Sequence, residues 1–263
     1  MKNKVEIKNE IVYLILIVLV TLYFAYSTHT PNKTYLLSGV LGNLLILTWF
    51  LRAFTLYSGR KISQYSEVIQ RISLKDRFFT YFVLPILFYT SLLLYIYFNT
   101  LFLMDIVVIG VSIILLFVLF LNVKSSFRKI YSIQARTRAI FDFLCIASFY
   151  MILNVIIRLG TSIWISLLGI TLSSLVFFWS DIKIHRMESI SALVMSIVSA
   201  IFVSISSILF FNTNIFVVPA IGTLSFYLIL SLWNIRFAGK IKLIEYLPPF
   251  IYSILALILI LKL

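Results

Sequence analysis

Apolar residues run through this chain in long stretches, separated by short polar ones, from end to end. Nine stretches read as membrane crossings: about 11–28, 35–57, 78–98, 102–121, 139–157, 161–180, 189–211, 215–235 and 246–263. A helix rises ~1.5 Å per residue and a bilayer core is ~30 Å thick, so about 20 apolar residues make one crossing. The last stretch, opened by Pro248-Pro249, is short for a crossing, and eight spans is the alternative. Pro85 lies inside the third, where neighbouring helices can satisfy the freed carbonyl, so a kink is expected there. The pattern predicts an all-α polytopic transmembrane bundle forming one domain.

The seventh stretch has a second pattern. Ala192, Ser196, Ser199, Ala200, Ser204 and Ser207 recur every three or four positions, which on a helix makes one small-residue stripe. Leu193, Val194, Ile197, Ile201, Ile205 and Ile208 fall elsewhere around it. In lipid, helices associate where small residues let backbones approach and hydroxyls bond across. These six residues are therefore expected to pack against neighbouring helices. The alternative is that the serines bond only to their own i−4 carbonyls.

The polar stretches carry a strong asymmetry. With the N-terminus cytoplasmic, its tail, the even-to-odd connectors and the adjacent span ends hold 19 of the 22 Lys and Arg. Only Lys33, Arg158 and Lys262 fall outside, and retention of cations on the cytoplasmic side assigns the orientation. Eight of the nine acids lie at that same face. Trp49, Trp164, Trp179 and Trp233 fall near span ends, where indoles favour the headgroup layer. Residues 58–77 place Ile62, Tyr65, Val68, Ile69 and Ile72 opposite Lys61, Glu67 and Arg71, which suits a helix lying in the interface.

Composition narrows the class. The chain of 263 residues is 62% hydrophobic and 12% charged, far below the ~25% charged residues of soluble domains. The net charge of +13 thus points to a membrane surface and not to nucleic acid. One cysteine, Cys145, allows no internal disulfide. Asn32-Lys33-Thr34 fits a glycosylation sequon but lies too close to the membrane to weigh.

Chemistry is sparse. No ionisable residue falls at a span centre; Arg52, Asp105, Asp142 and Arg158 all lie near predicted ends, where snorkelling to the interface accounts for each. Asp181, His185 and Glu188 form one acid–His–acid cluster at helical spacing, more readily a charged connector than a metal site or general base. His29 stands alone in a turn. No nucleotide, hydrolase or metalloprotease motif is present, and neither cofactor nor metal is expected. Asn43 and Asn154 suit hydrogen bonding between helices or the lining of a pocket. The connector residues Lys124, Arg128, Lys129, Arg136 and Arg138 come without an acid and with aromatic neighbours, which suits anionic headgroups. The leading expectation is a non-enzymatic partner or assembly subunit of a bacterial inner membrane, contacting anionic lipid or an acidic protein through this face. The alternatives are a carrier or flippase for a lipid-like substrate, through a groove near spans two, five and seven, and a lipid-modifying enzyme.

A weak internal echo pairs Phe98-Asn99-Thr100 with Phe211-Asn212-Thr213. It continues from Gly110, Leu116, Asn122, Lys124 and Arg128 to Gly222, Leu228, Asn234, Arg236 and Lys240. It suggests a duplicated four-span unit in parallel orientation. The order of a Leu84-Pro85 span, an apolar hairpin, a connector Arg128-Lys129-Ile130-Tyr131-Ser132-Ile133-Gln134 and a further hairpin resembles a multi-spanning membrane protein family of candidate-phyla bacteria. The resemblance covers about two thirds of the chain by general pattern, without a strict motif. That family has no assigned activity, so the resemblance implies architecture and transfers no site residue.

Overall fold

A computed structural model describes residues 2–30, 34–57, 82–126, 135–184, 189–211, 214–239 and 242–262. Among them are nine α-helices and no strand: α1 (Lys2–Thr28), α2 (Tyr35–Tyr57), α3 (Leu84–Phe98), α4 (Phe102–Ser126), α5 (Ala135–Arg158), α6 (Ile163–Ile184), α7 (Ser189–Ile208), α8 (Val217–Phe237) and α9 (Leu247–Ile260). They follow the nine apolar stretches in order. Eight are long and apolar enough to cross a bilayer, the last counted with the 3₁₀ turn before it as Leu243–Ile260; α3 is shorter. The protein is a multi-pass membrane protein with an all-helical fold. The candidate interfacial helix at 58–77 lies outside the described residues, as does the sequon's Asn32-Lys33.

Local chemistry sets the helix ends. Gly160 closes α5 and Gly239 follows α8, both at positive φ, a conformation that costs residues with a Cβ. Pro85 stands in the first turn of α3, and prolines likewise open α9. At the start of α9 the missing N–H would have had no helical partner. The part of the third stretch before Phe82, against which a kink at Pro85 would be read, lies outside the described residues; Phe82 and Val83, just before α3, are π-helical.

The chain divides into two compact units, residues 1–144 and 145–263, with the boundary inside α5. In the first, each of α1–α4 packs on the other three. Its core holds a node at which Tyr89 of α3 meets Thr21 of α1, oxygen to oxygen at 2.9 Å, both fully buried. Gly42 of α2 lies under that node, where a Cβ would fall on the Tyr89 hydroxyl. Nearer the other end, Trp49 of α2 stacks on Phe120 of α4 with ring centroids 4.2 Å apart. Trp49 is buried, so this indole is a core residue and not the interfacial anchor its position near a span end suggested. Trp164, by contrast, is 76% exposed at the start of α6.

In the second unit the helices pack in series, α6 on α7, α7 on α8 and α8 on α9. Phe226 of α8 stacks on Phe149 of α5 at 4.7 Å and lies 4.2 Å from Phe178 of α6, centroid to centroid. The helix pairings therefore differ between the units. The second Phe-Asn-Thr of the echo has Asn212 and Thr213 outside the described residues.

Candidate functional site

The small-residue stripe of α7 forms one face. Ala192, Ser196, Ser199, Ala200, Ser204 and Ser207 are all buried, while Leu193, Val194, Ile197, Ile201 and Ile205 are exposed. Both expected uses of the hydroxyls occur together. Ser196, Ser204 and Ser207 donate to the carbonyls of Ala192, Ala200 and Val203. Ser204 also accepts from the Thr171 hydroxyl of α6 at 2.8 Å, and Ser199 accepts from the Trp233 indole of α8 at 2.9 Å. A hydroxyl has one proton and two lone pairs, so back-bonding leaves it free to accept from a neighbour. Opposite Ser207, Gly222 of α8 leaves the space that a Cβ would take; there it would meet Ser207 Oγ at 2.6 Å and Leu153 of α5 at 2.7 Å.

The basic connector is only partly described. Lys124 sits near the end of α4, and Arg136 and Arg138 sit in the first turn of α5; Arg128 and Lys129 lie outside the described residues. The Arg138 Nε is buried without a hydrogen-bond partner among the described residues. Of the acid–His–acid cluster, Asp181 is buried in the last turn of α6, and His185 and Glu188 lie outside the described residues. Among the described residues no three His, Cys, Asp or Glu side chains gather as metal ligands.

Two features of the first unit were not foreseen. One is a cleft of about 450 Å³ between α2 and α3, with Phe24 of α1 at its back. Leu36, Val40, Leu93 and Leu94 make its walls, and Tyr35 and Tyr97 stand at one end with rings 5.2 Å apart. Its polar floor is a single pair: Thr90 of α3 donates to the Asn43 side-chain carbonyl at 3.1 Å, and the Asn43 amide donates back to Gly39 O. Asn43 is eight residues into α2, about 12 Å along its axis at 1.5 Å per residue. Spans one, two and three line this cleft, so spans five and seven, expected to share a groove with span two, take no part in it. Asn154, the other asparagine expected to bond or line a pocket, donates to Tyr150 O on its own helix.

The second feature corrects two readings of single residues. Asp105 does not snorkel. It is fully buried in the first turn of α4, and its two oxygens accept from Asn99 Nδ2 at 2.8 Å and from His29 Nε2 at 2.9 Å. His29, which had no visible role, follows α1 and keeps 28% of its side chain exposed. The edge of Phe102 packs at right angles to its ring, centroids 5.6 Å apart. Asn99 ends α3 and also donates to Leu101 O, so one amide ties the α3–α4 turn to the carboxylate. The N-terminus of α4 adds its own positive potential to a carboxylate placed there. The other residues near span ends behave differently: Arg52 is exposed, with its guanidinium 5.8 Å from the Tyr13 ring centre, and Arg158 is half-buried in the last turn of α5. Asp142 is half-buried.

One signal in the sequence did point to this cluster. Asp105 is the one acid that falls outside the cation-rich tail, connectors and span ends, and His29 falls in another of the connectors poor in cations. Nothing local joins them, because they are 76 residues apart. Along the internal echo Asp105 aligns with Val217 or Val218, so the echo does not repeat the acid.

Comparison with family models, curated proteins and solved structures returns no match for this chain.

Proposed function

We propose that this protein is a non-enzymatic carrier that holds a lipid-like molecule in the cleft between α2 and α3. The observation that carries the reading is the cleft's composition: apolar walls, two phenols at one end and one hydrogen-bonded Asn43–Thr90 pair at the floor. Ligand sites are commonly 300–1,000 Å³, mostly apolar, with a few placed polar groups that fix orientation. A molecule entering sideways from hydrocarbon would be an acyl or isoprenoid chain. An oxygen on it, about 12 Å below the headgroup layer, could exchange bonds with Asn43 and Thr90.

The topology belongs to the same proposal. The cation distribution supports an N-terminus in the cytoplasm of a bacterium and the spans in its inner membrane, which puts the Tyr35–Tyr97 end of the cleft at the outer leaflet. The cationic connector residues Lys124, Arg128, Lys129, Arg136 and Arg138 would then lie against anionic headgroups, at ~1 kcal/mol per cation near the surface. That charge also supports the second reading, an assembly subunit that meets an acidic partner protein at this face.

Photo-crosslinking tests the carrier reading. The full chain is placed in lipid nanodiscs containing a phospholipid with a diazirine in its acyl chain, and the adducts are mapped by mass spectrometry. Adducts should concentrate around Val40 and Leu94, exceed those on the exposed α7 face at Val194 and Val198, and disappear from the cleft in Val40→Trp. An even spread over all lipid-facing helices would sink the proposal.

A further inference from the structure

We infer that His29 and Asp105 form a proton-binding site, in which His29 carries a proton from the aqueous boundary to the buried carboxylate. Ionisable groups inside a membrane protein are costly, and those retained there commonly serve proton relays with a named partner. Here the partner is in place: His29 Nε2 is 2.9 Å from Asp105 Oδ2, with the carboxylate fully buried and the imidazole partly exposed. The relay starts from the ionised carboxylate and neutral imidazole: Asn99 donates to Oδ1, an ionised Asp105 can only accept, and with the imidazole proton on Nε2 the Nδ1 atom presents a lone pair. Among the described residues Nδ1 has no hydrogen-bond partner.

The transfer follows from that arrangement and balances. A proton from hydronium adds to Nδ1, forming an N–H bond and leaving water. The N–H bond at Nε2 then breaks as an O–H bond forms at Asp105 Oδ2. The products are a neutral carboxylic acid and a neutral imidazole with its proton on Nδ1. Asn99 keeps its bond to Oδ1 throughout, so the turn stays tied while the buried charge is discharged. The reverse sequence releases the proton to the same side.

The groups around the pair leave few competitors. From α1 and its turn comes His29 itself; from α3 comes Asn99 and from α4 Phe102, neither of which titrates. Tyr35 of α2 and Tyr97 of α3 stand at the same end of the unit, and the Tyr35 ring meets the Tyr97 ring and not the imidazole. Lys33, four residues after His29 in the sequence, lies outside the described residues. The proposal concerns the proton alone and needs no ligand in the cleft, so it stands or falls separately from the carrier reading.

The test is infrared difference spectroscopy of the full chain in nanodiscs on acidification. The wild type should gain a protonated-carboxyl carbonyl band that is lost in Asp105→Asn. After a rapid pH drop, His29→Gln should lose the fast appearance of that band, because glutamine can donate to Asp105 but cannot relay. A purely structural bond would leave His29→Gln with wild-type kinetics, and that result overturns the relay. An acid-form band that persists in Asp105→Asn overturns the site. Should Asp105→Asn not fold, Asp105→Glu serves: a band moved from its wild-type frequency supports the assignment, and an unmoved one overturns it.

Discussion

The two units of this chain link their helices through different polar groups. In residues 1–144, long polar side chains reach from one helix to another: Thr21 to Tyr89, Asn43 to Thr90, His29 and Asn99 to Asp105. In residues 145–263 the buried polar groups are mostly short hydroxyls that return to their own helix, with Thr171–Ser204 and Trp233–Ser199 as cross-links. Long side chains hold helices together at a distance and leave room for a cleft. Small ones let backbones close up, and the space is filled by ring stacks such as Phe149–Phe226.

Both units contain one position where a helix comes close enough that only glycine fits, and these should be the most sensitive sites. Gly42→Leu would drive its side chain into Tyr89, and Gly222→Leu into Ser207 and Leu153. Overpacking of this kind costs ~1–3 kcal/mol and sometimes more, so both variants should fail to give a monodisperse peak in size-exclusion chromatography. The milder Gly42→Ala should be partly rescued by Tyr89→Phe, since the hydroxyl is the nearest obstruction. Absence of rescue would place the strain elsewhere in the unit.

Next in size is Ser204→Leu, on the face that α7 turns to α6. We expect a loss of about 2 kcal/mol in reversible unfolding in mixed micelles, by the same overpacking argument. Unchanged stability would mean that the stripe does not set how closely α6 and α7 approach.

Single hydroxyl deletions sharpen the comparison between the units. Thr21→Val removes a bond between helices together with the bond back to Ile17 O, and leaves the Tyr89 hydroxyl without that partner, at an expected cost of ~1 kcal/mol. Ser196→Ala removes only a bond back to Ala192 and should cost close to zero, since such back-bonding adds little to a helix. Equal effects in the same unfolding assay would erase the distinction drawn between the units. Smallest of all, Val40→Trp should leave stability within about 0.5 kcal/mol, because Val40 is 61% exposed at the cleft wall. A larger loss would mean that the cleft wall is part of the packed core.

Some of the candidate site was legible and some was not. The stripe of α7 could be read because a helix converts a spacing of three or four into a face. The role of Trp49 could not: a span-end position fits an interfacial anchor and an inward-facing ring equally well until Phe120, 71 positions later, is found beneath it. Asp105 was misread for a similar reason. Its place near a helix start is local, but whether a carboxyl there turns to water or inward depends on what stands opposite.

The order and number of the helices were written into the chain itself, because a bilayer imposes one length scale and every backbone group must be satisfied within its own segment. That constraint acts on consecutive residues, so it can be read without knowing any contact. The pairing of His29 with Asp105, the cleft between α2 and α3, and the division into two differently packed units came only with the tertiary structure. Hydropathy is nearly uniform along these helices, and nothing in it says which face meets which neighbour. That choice is made by shape and by single hydrogen bonds between residues far apart in sequence.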